Sequence, residues 1–247
     1  RQSEGSGIIT LAREIRDEET CTWEDGVTYL DLPEERILDA ILEDVDPEMD
    51  PDRFQVLAPM YKGAAGIEAV NEALQNVFNP PRAGCPELTA GPVTFRKNDK
   101  VMLLKNMPDE DVFNGDMGVI SGIDSRTRTI TVDFGETEVD FSNDFLYYLS
   151  HAWCVSVHKA QGSEYDKVYC ITSCRNQAML SKKLLYTAIS RAKKELILLG
   201  DPGVFRSKVR QKTRNHRMTT LKERLWEYIS LQPLESDSDD SRNLENS

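Results

Sequence analysis

The chain has 247 residues, 39% hydrophobic and 29% charged, a globular composition with room for one large domain or two small ones. No run approaches the roughly 18 consecutive apolar residues that a membrane-crossing helix needs, so no such helix is expected. The formal net charge of −12 at pH 7, taken alone, argues against a polyanionic partner.

The charge is unevenly distributed. Residues 1–57 hold 5 Lys and Arg against 17 Asp and Glu, residues 58–148 hold 8 against 14, and residues 218–247 hold 3 against 7. Residues 149–217 reverse the balance, with 14 against 4. A basic segment inside an acidic chain is an electrostatic footprint for phosphates. The alternative is a solvated helix face with scattered cations.

In chain order, the Gly/Ser-rich Ser3–Gly7 precedes Ile8, Ile9, Leu11, Ala12 and Ile15, spaced for a helix. Gly26–Leu32 alternates loosely, as a strand would. Glu34–Leu42 repeats the helical pattern with Ile37, Leu38, Ile41 and Leu42. Phe54–Ala58 is a short apolar run stopped by Pro59 and reads as a buried strand. After the loop Met60–Gly63, a helix is expected over Ala65–Phe78, with Ile67, Val70, Leu74 and Val77 on one side. Strand, loop and helix make half of a βαβ unit.

Asn79–Pro92 is rich in Pro and Gly, and the character then changes. Strands are expected at Val101–Lys105, Gly118–Ile123, Thr129–Phe134 and Thr137–Phe141, with turns at Asn114-Gly115 and Phe134-Gly135-Glu136. Such short strands predict a small β-barrel inserted in an α/β domain, or else a β-rich lobe of one continuous domain. The α/β pattern returns with a strand at Val168–Thr172, a helix at Leu180–Ala192 and a strand at Glu195–Gly200 that Asp201-Pro202-Gly203 ends. A basic helix-like stretch follows to about Ile229, and the Ser/Asp/Glu-rich tail is expected to be disordered. The expected division is 1–92 and 149–232 for the α/β domain, 93–148 for the barrel and 233–247 for an acidic tail. The fold class is therefore α/β, a parallel sheet flanked by helices with an inserted β-barrel.

The five cysteines form no C-x-x-C pair, so neither disulfides nor a zinc site is expected, which fits a reducing cytoplasm. No signal peptide is visible. The first residue is Arg1 rather than Met, and the chain reads as a piece of something longer. No G-x-x-x-x-G-K-[ST] phosphate loop is present.

Two stretches carry chemistry. In VHKAQGSEY (157–165), His158, Lys159, Gln161 and Glu164 surround Gly162 directly before a buried strand. A glycine there lets backbone N–H approach an anion, His158 and Lys159 can donate to phosphate, and Glu164 can accept from a sugar hydroxyl. A polar loop with a capping role is the alternative. In YTAISRAKK (186–194), a helix is expected to end in Arg191, Lys193 and Lys194. Attraction to the helix dipole accounts for the lysines; a fixed guanidinium at Arg191 also suits charge stabilisation.

These two stretches resemble motifs V and VI of superfamily 1 helicases of the RecD-like branch. Other stretches resemble the family in the same order: RQSEGSGIITLAREI at the start, VLAPMYKGAAGIEAVNEALQ at 56–75, FRKNDKVMLLKNM and FNGDMGVI in the β module, and NHRMTTLKERL near the end. The resemblance implies a second RecA-like domain carrying an SH3-like barrel. ATP with Mg2+ would bind in a cleft closed by a first RecA-like domain, which would bring the phosphate loop and the Mg2+ ligands. It also implies Arg191 and Arg1 as catalytic arginines on the γ-phosphate, and Gln2, Gly162, Ser163 and Glu164 near the nucleotide. Tyr61, Lys62, Gly63, Asn106, Ser156, His158 and Lys159 are implied as contacts to single-stranded DNA. Movement 5′ to 3′ is implied for the whole enzyme, with this chain alone inactive. The rival expectation is a catalytically incomplete single-strand-binding module; a purely structural protein is the third.

Overall fold

The structure is a computed structural model that describes residues 6–19, 21–173 and 177–211. Arg1, Gln2, the expected basic stretch beyond residue 211 and the acidic tail lie outside the described residues.

The elements are α1 (Gly7–Asp17), β1 (Val27–Asp31), α2 (Glu34–Asp44), β2 (Phe54–Ala58), α3 (Ile67–Phe78), β3 (Glu87–Ala90), β4 (Val93–Arg96), β5 (Lys100–Leu103), β6 (Met117–Asp124), β7 (Thr129–Asp133), β8 (Glu138–Ser142), β9 (Leu149–His151), β10 (Cys154–Ser156), β11 (Tyr165–Ile171), α4 (Lys182–Ile189), β12 (Ala192–Gly200) and α5 (Pro202–Arg210). Five of the strands form a parallel sheet in the order β1-β12-β11-β2-β10.

Helices cover both faces of this sheet, and β12 shows how sequence sorts them. Leu196 and Leu198 point to a core with Ile8, Leu11 and Ile15 of α1, Leu185 and Ala188 of α4 and Phe205 of α5. Ile197 and Leu199, one residue out of phase, join Ile37 and Ile41 of α2 and Val70 and Leu74 of α3. A strand covered on both faces has no polar side to show, hence the continuous apolar runs. Each of these buried Val, Leu, Ile and Phe side chains contributes about 1.5–3 kcal/mol.

The β module is a five-stranded antiparallel sheet, β8-β7-β6-β5-β9, beside the β3–β4 hairpin. Leu88, Ala90 and Phe95 of the hairpin share a core with Val101, Ile120, Ile130, Val132 and Phe141. The hairpin crosses the expected 92/93 division, because the Gly91-Pro92 turn pairs residues on either side of it.

The expected helix over Leu180–Ala192 is shorter than its periodicity. It ends at Ile189 because Ala192 already pairs with Tyr165 in the sheet, and Arg191 O accepts from Tyr165 N at 2.8 Å. Lys193 and Lys194 therefore lie on β12 and not in a last helical turn, so the helix dipole does not account for them.

Lys100 of β5 is almost fully buried and donates to Pro51 O at 2.8 Å, 3.8 Å from the Asp52 carboxylate. Burial pushes its pKa down to about 8, against a smaller upward pull from Asp52 and Asp50. A base with a depressed folded pKa binds fewer protons folded than unfolded between that value and 10.5, so stability rises with pH across that window. Urea titrations at pH 7.5 and 9 are expected to show wild type gaining on Lys100→Met by about 1 kcal/mol, on the scale of 1.4 kcal/mol per pKa unit. Thiol ionisation in the unfolded chain is common to both proteins and cancels in that difference.

Candidate functional site

The site is organised by the connection between β10 and β11. It leaves the carboxyl end of β10 at Ser156 and enters the amino end of β11 at Tyr165. The registers Ser156↔Ala58 and Cys170↔Leu57 put Ser156 level with Ile171. Six residues of strand, at roughly 3.3 Å each, separate that level from Tyr165 by about 20 Å. The connection thus presents residues at both ends of the sheet.

It is wound rather than extended. Lys159 N and Ala160 N donate to Ser156 O at 3.0 and 3.2 Å, and Ser163 N donates to Ala160 O at 3.3 Å. Val157 and Ala160 bury in the α1/α4 core and anchor it, while His158, Gln161, Gly162, Ser163 and Glu164 are exposed. Gly162 has φ +93° with open space where a Cβ would stand. Its requirement is conformational and not steric.

At the amino ends, Arg191 faces this loop. Its guanidinium donates from Nη1 to Ser163 O at 2.9 Å, from Nη2 to Ser190 Oγ at 3.0 Å and from Nε to Thr187 O at 3.2 Å. All three acceptors are neutral, and among the described residues no carboxylate pairs with it. Glu164 lies 3.5 Å from Lys193. Asp166 accepts from Lys194 at 3.0 Å and from Arg53, and these cations hold its carboxyl below the usual range.

Beside Arg191 is a cleft of about 680 Å³ between α1, the end of α4 and the start of β12. Arg13, Arg16, Lys193, Lys194 and Glu164 line it, with Ile9 and Tyr186 as apolar wall; Arg16 pairs with Asp17, Lys193 with Glu164 and Lys194 with Asp166. Its size and charge suit a phosphorylated small molecule. Arg191 lies next to this cleft, its guanidinium turned onto the Ser163 carbonyl.

Tyr61, Lys62 and Gly63 lie at the opposite, carboxyl ends, in the loop after β2, all exposed. Gly63 has φ +121°, and a Cβ there would come 2.8 Å from the Glu34 carboxylate. The loop closes back on α3, with Ile67 N donating to Met60 O at 2.9 Å and Glu68 N to Tyr61 O at 3.1 Å. Ser156 and His158 share this end.

Lys159 leans to the barrel. Its ammonium donates to Asn114 Oδ1, and Asn114 N donates to Asn106 Oδ1 at 2.8 Å. The structure thus links two expected strand contacts, Lys159 and Asn106, through a third residue read from sequence only as a turn. Exposed Phe113 is the next residue along. The expected residues fall into two groups: Gly162, Ser163, Glu164 and Arg191 at the amino ends, and Tyr61, Lys62, Gly63, Ser156 and His158 at the carboxyl ends, with the Lys159–Asn114–Asn106 chain at the barrel.

Comparisons with known proteins identify the two modules. Residues 70–134 match the family model described as ATP-dependent RecD-like DNA helicase SH3 domain, and residues 151–199 match the UvrD-like helicase C-terminal domain. The ATP-dependent RecD2 DNA helicase of Deinococcus radiodurans is 33% identical over 175 residues, covering 71% of this chain and 24% of that protein. The RecBCD enzyme subunit RecD of Buchnera aphidicola is 26% identical over 167 residues, covering 61% and 25%. The chain thus spans about a quarter of the length of these relatives. Among solved structures, a Bacteroides Pif1 helicase in complex with ADP-AlF3 and ssDNA shares the fold, with a TM-score of 0.55 and 17% identity over 93% of this chain and 55% of that one. A structure of two coordinating Pif1 helicases at forked dsDNA gives 0.53, with 17% identity over 93% and 53%.

Gly162→Ala is expected to lower stability by about 1 kcal/mol through its left-handed backbone alone. In a chain of this size that is a fall in melting temperature of about 2–4 °C, read by thermal denaturation.

Proposed function

Because the chain belongs to the RecD-like branch of the superfamily 1 helicases, we propose that it is the second motor half of an enzyme that spends ATP to travel 5′ to 3′ along single-stranded DNA and unwind duplex ahead of it. In this reading the nucleotide binds against the amino ends of β11 and β12. The strand runs across the loops at the carboxyl ends and along the barrel.

One observation carries the proposal: an arginine held against the glycine loop by neutral acceptors only. Phosphoryl transfer to water builds charge on the γ-phosphate oxygens, and a guanidinium delivered across a cleft is worth roughly 10³–10⁵ in rate. The hydrogen bonds that hold Arg191 are made to the carbonyls of Ser163 and Thr187 and to the Ser190 hydroxyl, each worth about 1.5–3 kcal/mol with a charged donor. A phosphate offers the same fork a charged, bidentate acceptor, which is stronger. Arg191 therefore exchanges Ser163 O for the γ-phosphate when the cleft closes. Arg1 and Gln2 are proposed to reach the same phosphate.

The cationic cleft lining fits a triphosphate, with Glu164 placed for the ribose hydroxyls after leaving Lys193. ATP supplies the phosphoryl group. Mg2+ would be held by the first RecA-like domain, which is the chain's proposed partner. Release of Ser163 O frees the same connection that carries Ser156 and His158, so nucleotide state and strand grip change together. Tyr61, Lys62, Gly63, Lys159 and Asn106 complete the grip, which is made to phosphates and is accordingly salt-dependent.

Arg191→Ala in the full-length protein is expected to cut ATP hydrolysis by about 10³-fold or more, measured at saturating single strand so that any change in strand grip does not enter. Hydrolysis near the wild-type rate would remove the assignment.

A further inference from the structure

Helix α3 carries a buried stripe that is polar. Asn71, Gln75 and Asn79 recur every fourth residue, from the helix to its C-cap, and each is almost fully buried. That spacing puts them on one face. An amide in such a place is costly unless its hydrogen bonds are made, and here they are.

Asn71 exchanges two bonds with the Cys154 backbone: its Nδ2 donates to Cys154 O at 2.9 Å, and Cys154 N donates to its Oδ1 at 2.8 Å. Gln75 Nε2 donates to Thr94 O at 2.9 Å and to Asp99 Oδ2 at 2.6 Å. Asn79 Nδ2 donates to Lys97 O at 2.9 Å and to Asp99 Oδ1 at 2.7 Å. The Asp99 carboxylate is fully buried, accepts also from Arg96 N at 2.6 Å, and lies 3.3 Å from His151 Nε2.

Three pieces of the molecule meet on this helix. Its first turn grows out of the Tyr61–Gly63 loop. Its middle holds β10, which ends on Ser156. Its last turn and cap hold the β4–β5 segment of the barrel, whose next strand leads to Asn106 and Asn114. Apolar side chains would have joined helix and barrel with less desolvation cost and less directional constraint. Amides converging on one carboxylate fix an orientation instead.

We propose that Asn71, Gln75, Asn79 and Asp99 are positioning residues that hold the Tyr61 and Ser156 loops and the Asn106–Asn114 edge of the barrel in register as one groove for a single nucleic-acid strand. The inference rests on the reading of those loops as strand contacts. The four side chains are buried and touch no strand themselves; they act through what they hold.

The test uses full-length protein carrying Asp99→Asn or Gln75→Met. Asparagine offers one acceptor oxygen where the carboxylate offered two, and it turns an NH2 toward a donor. Methionine keeps the length of glutamine and removes the donor, and it carries the test if Asp99→Asn does not fold. The readout is oligothymidylate-stimulated ATP hydrolysis, resolved into the strand concentration at half-saturation and the rate at saturation. Half-saturation is expected to rise about tenfold, a strand-affinity effect, with the saturated rate within about twofold. Unchanged half-saturation in both variants, or a lower saturated rate alone, overturns the positioning role. Tyr61→Ala is the control. If it weakens half-saturation and the α3 and Asp99 variants do not, only this inference falls; if it too is unchanged, the strand-contact reading falls and takes the inference with it.

Discussion

Parallel strands force a connection to travel the depth of the sheet, and in this protein one such connection carries most of the candidate chemistry. The segment from Val157 to Glu164 leaves β10 at one end and must reach β11 at the other. Val157 and Ala160 pin it to the core, and Gly162 supplies the backbone turn that brings Ser163 and Glu164 to the amino ends. Arg191 then finds the Ser163 carbonyl because β11 and β12 are neighbours that begin at the same level, Tyr165 opposite Ala192. The meeting of glycine loop and arginine follows from strand order and register.

The barrel contributes to the same end through a different device. Two adjacent residues at its β5 strand, Asp99 and Lys100, are both buried, and both bond to the α/β layer: Asp99 to α3, Lys100 to the Pro51 carbonyl. These consecutive residues take different partners, so the barrel is tied at two places. The Asn114–Lys159 bond adds a third tie at the exposed rim. Insertion of a barrel into an α/β domain leaves its attitude underdetermined by apolar packing alone, and these directional contacts supply what packing does not.

Much of this was legible in the residues. FQVLA marks β2 at its observed ends because a strand buried on both faces is apolar, here with Gln55 as the exception, and Pro59 stops it. Four barrel strands, β5 to β8, are legible from their turns, whereas the β3–β4 hairpin falls in a Pro/Gly-rich stretch that hides it. Less legible were β9 and β10, three residues each, whose pairing partners β5 and β2 lie far away in sequence. The end of α4 was misplaced because sheet pairing at Ala192 overrode a helical period that runs on through Arg191. Within the site, the glycine loop and Arg191 were legible from local residue types and family likeness, and their contact was not, since nothing local relates residue 163 to residue 191. Asn114 was seen only as a turn former for the same reason. The α3 stripe was present as Asn71, Gln75 and Asn79 at a spacing of four, but polar residues at helical spacing read as a solvated face until their burial is known.

The proposed function divides between the two ends of one sheet, strand at the carboxyl ends and barrel rim, nucleotide at the amino ends. Ultraviolet crosslinking of oligothymidylate to the chain, followed by peptide mapping, tests that division most directly. Crosslinks at Tyr61, His158 and Phe113, lost on raising the salt concentration, are the predicted result. Crosslinks confined to Tyr186 and the 190–194 surface would contradict it.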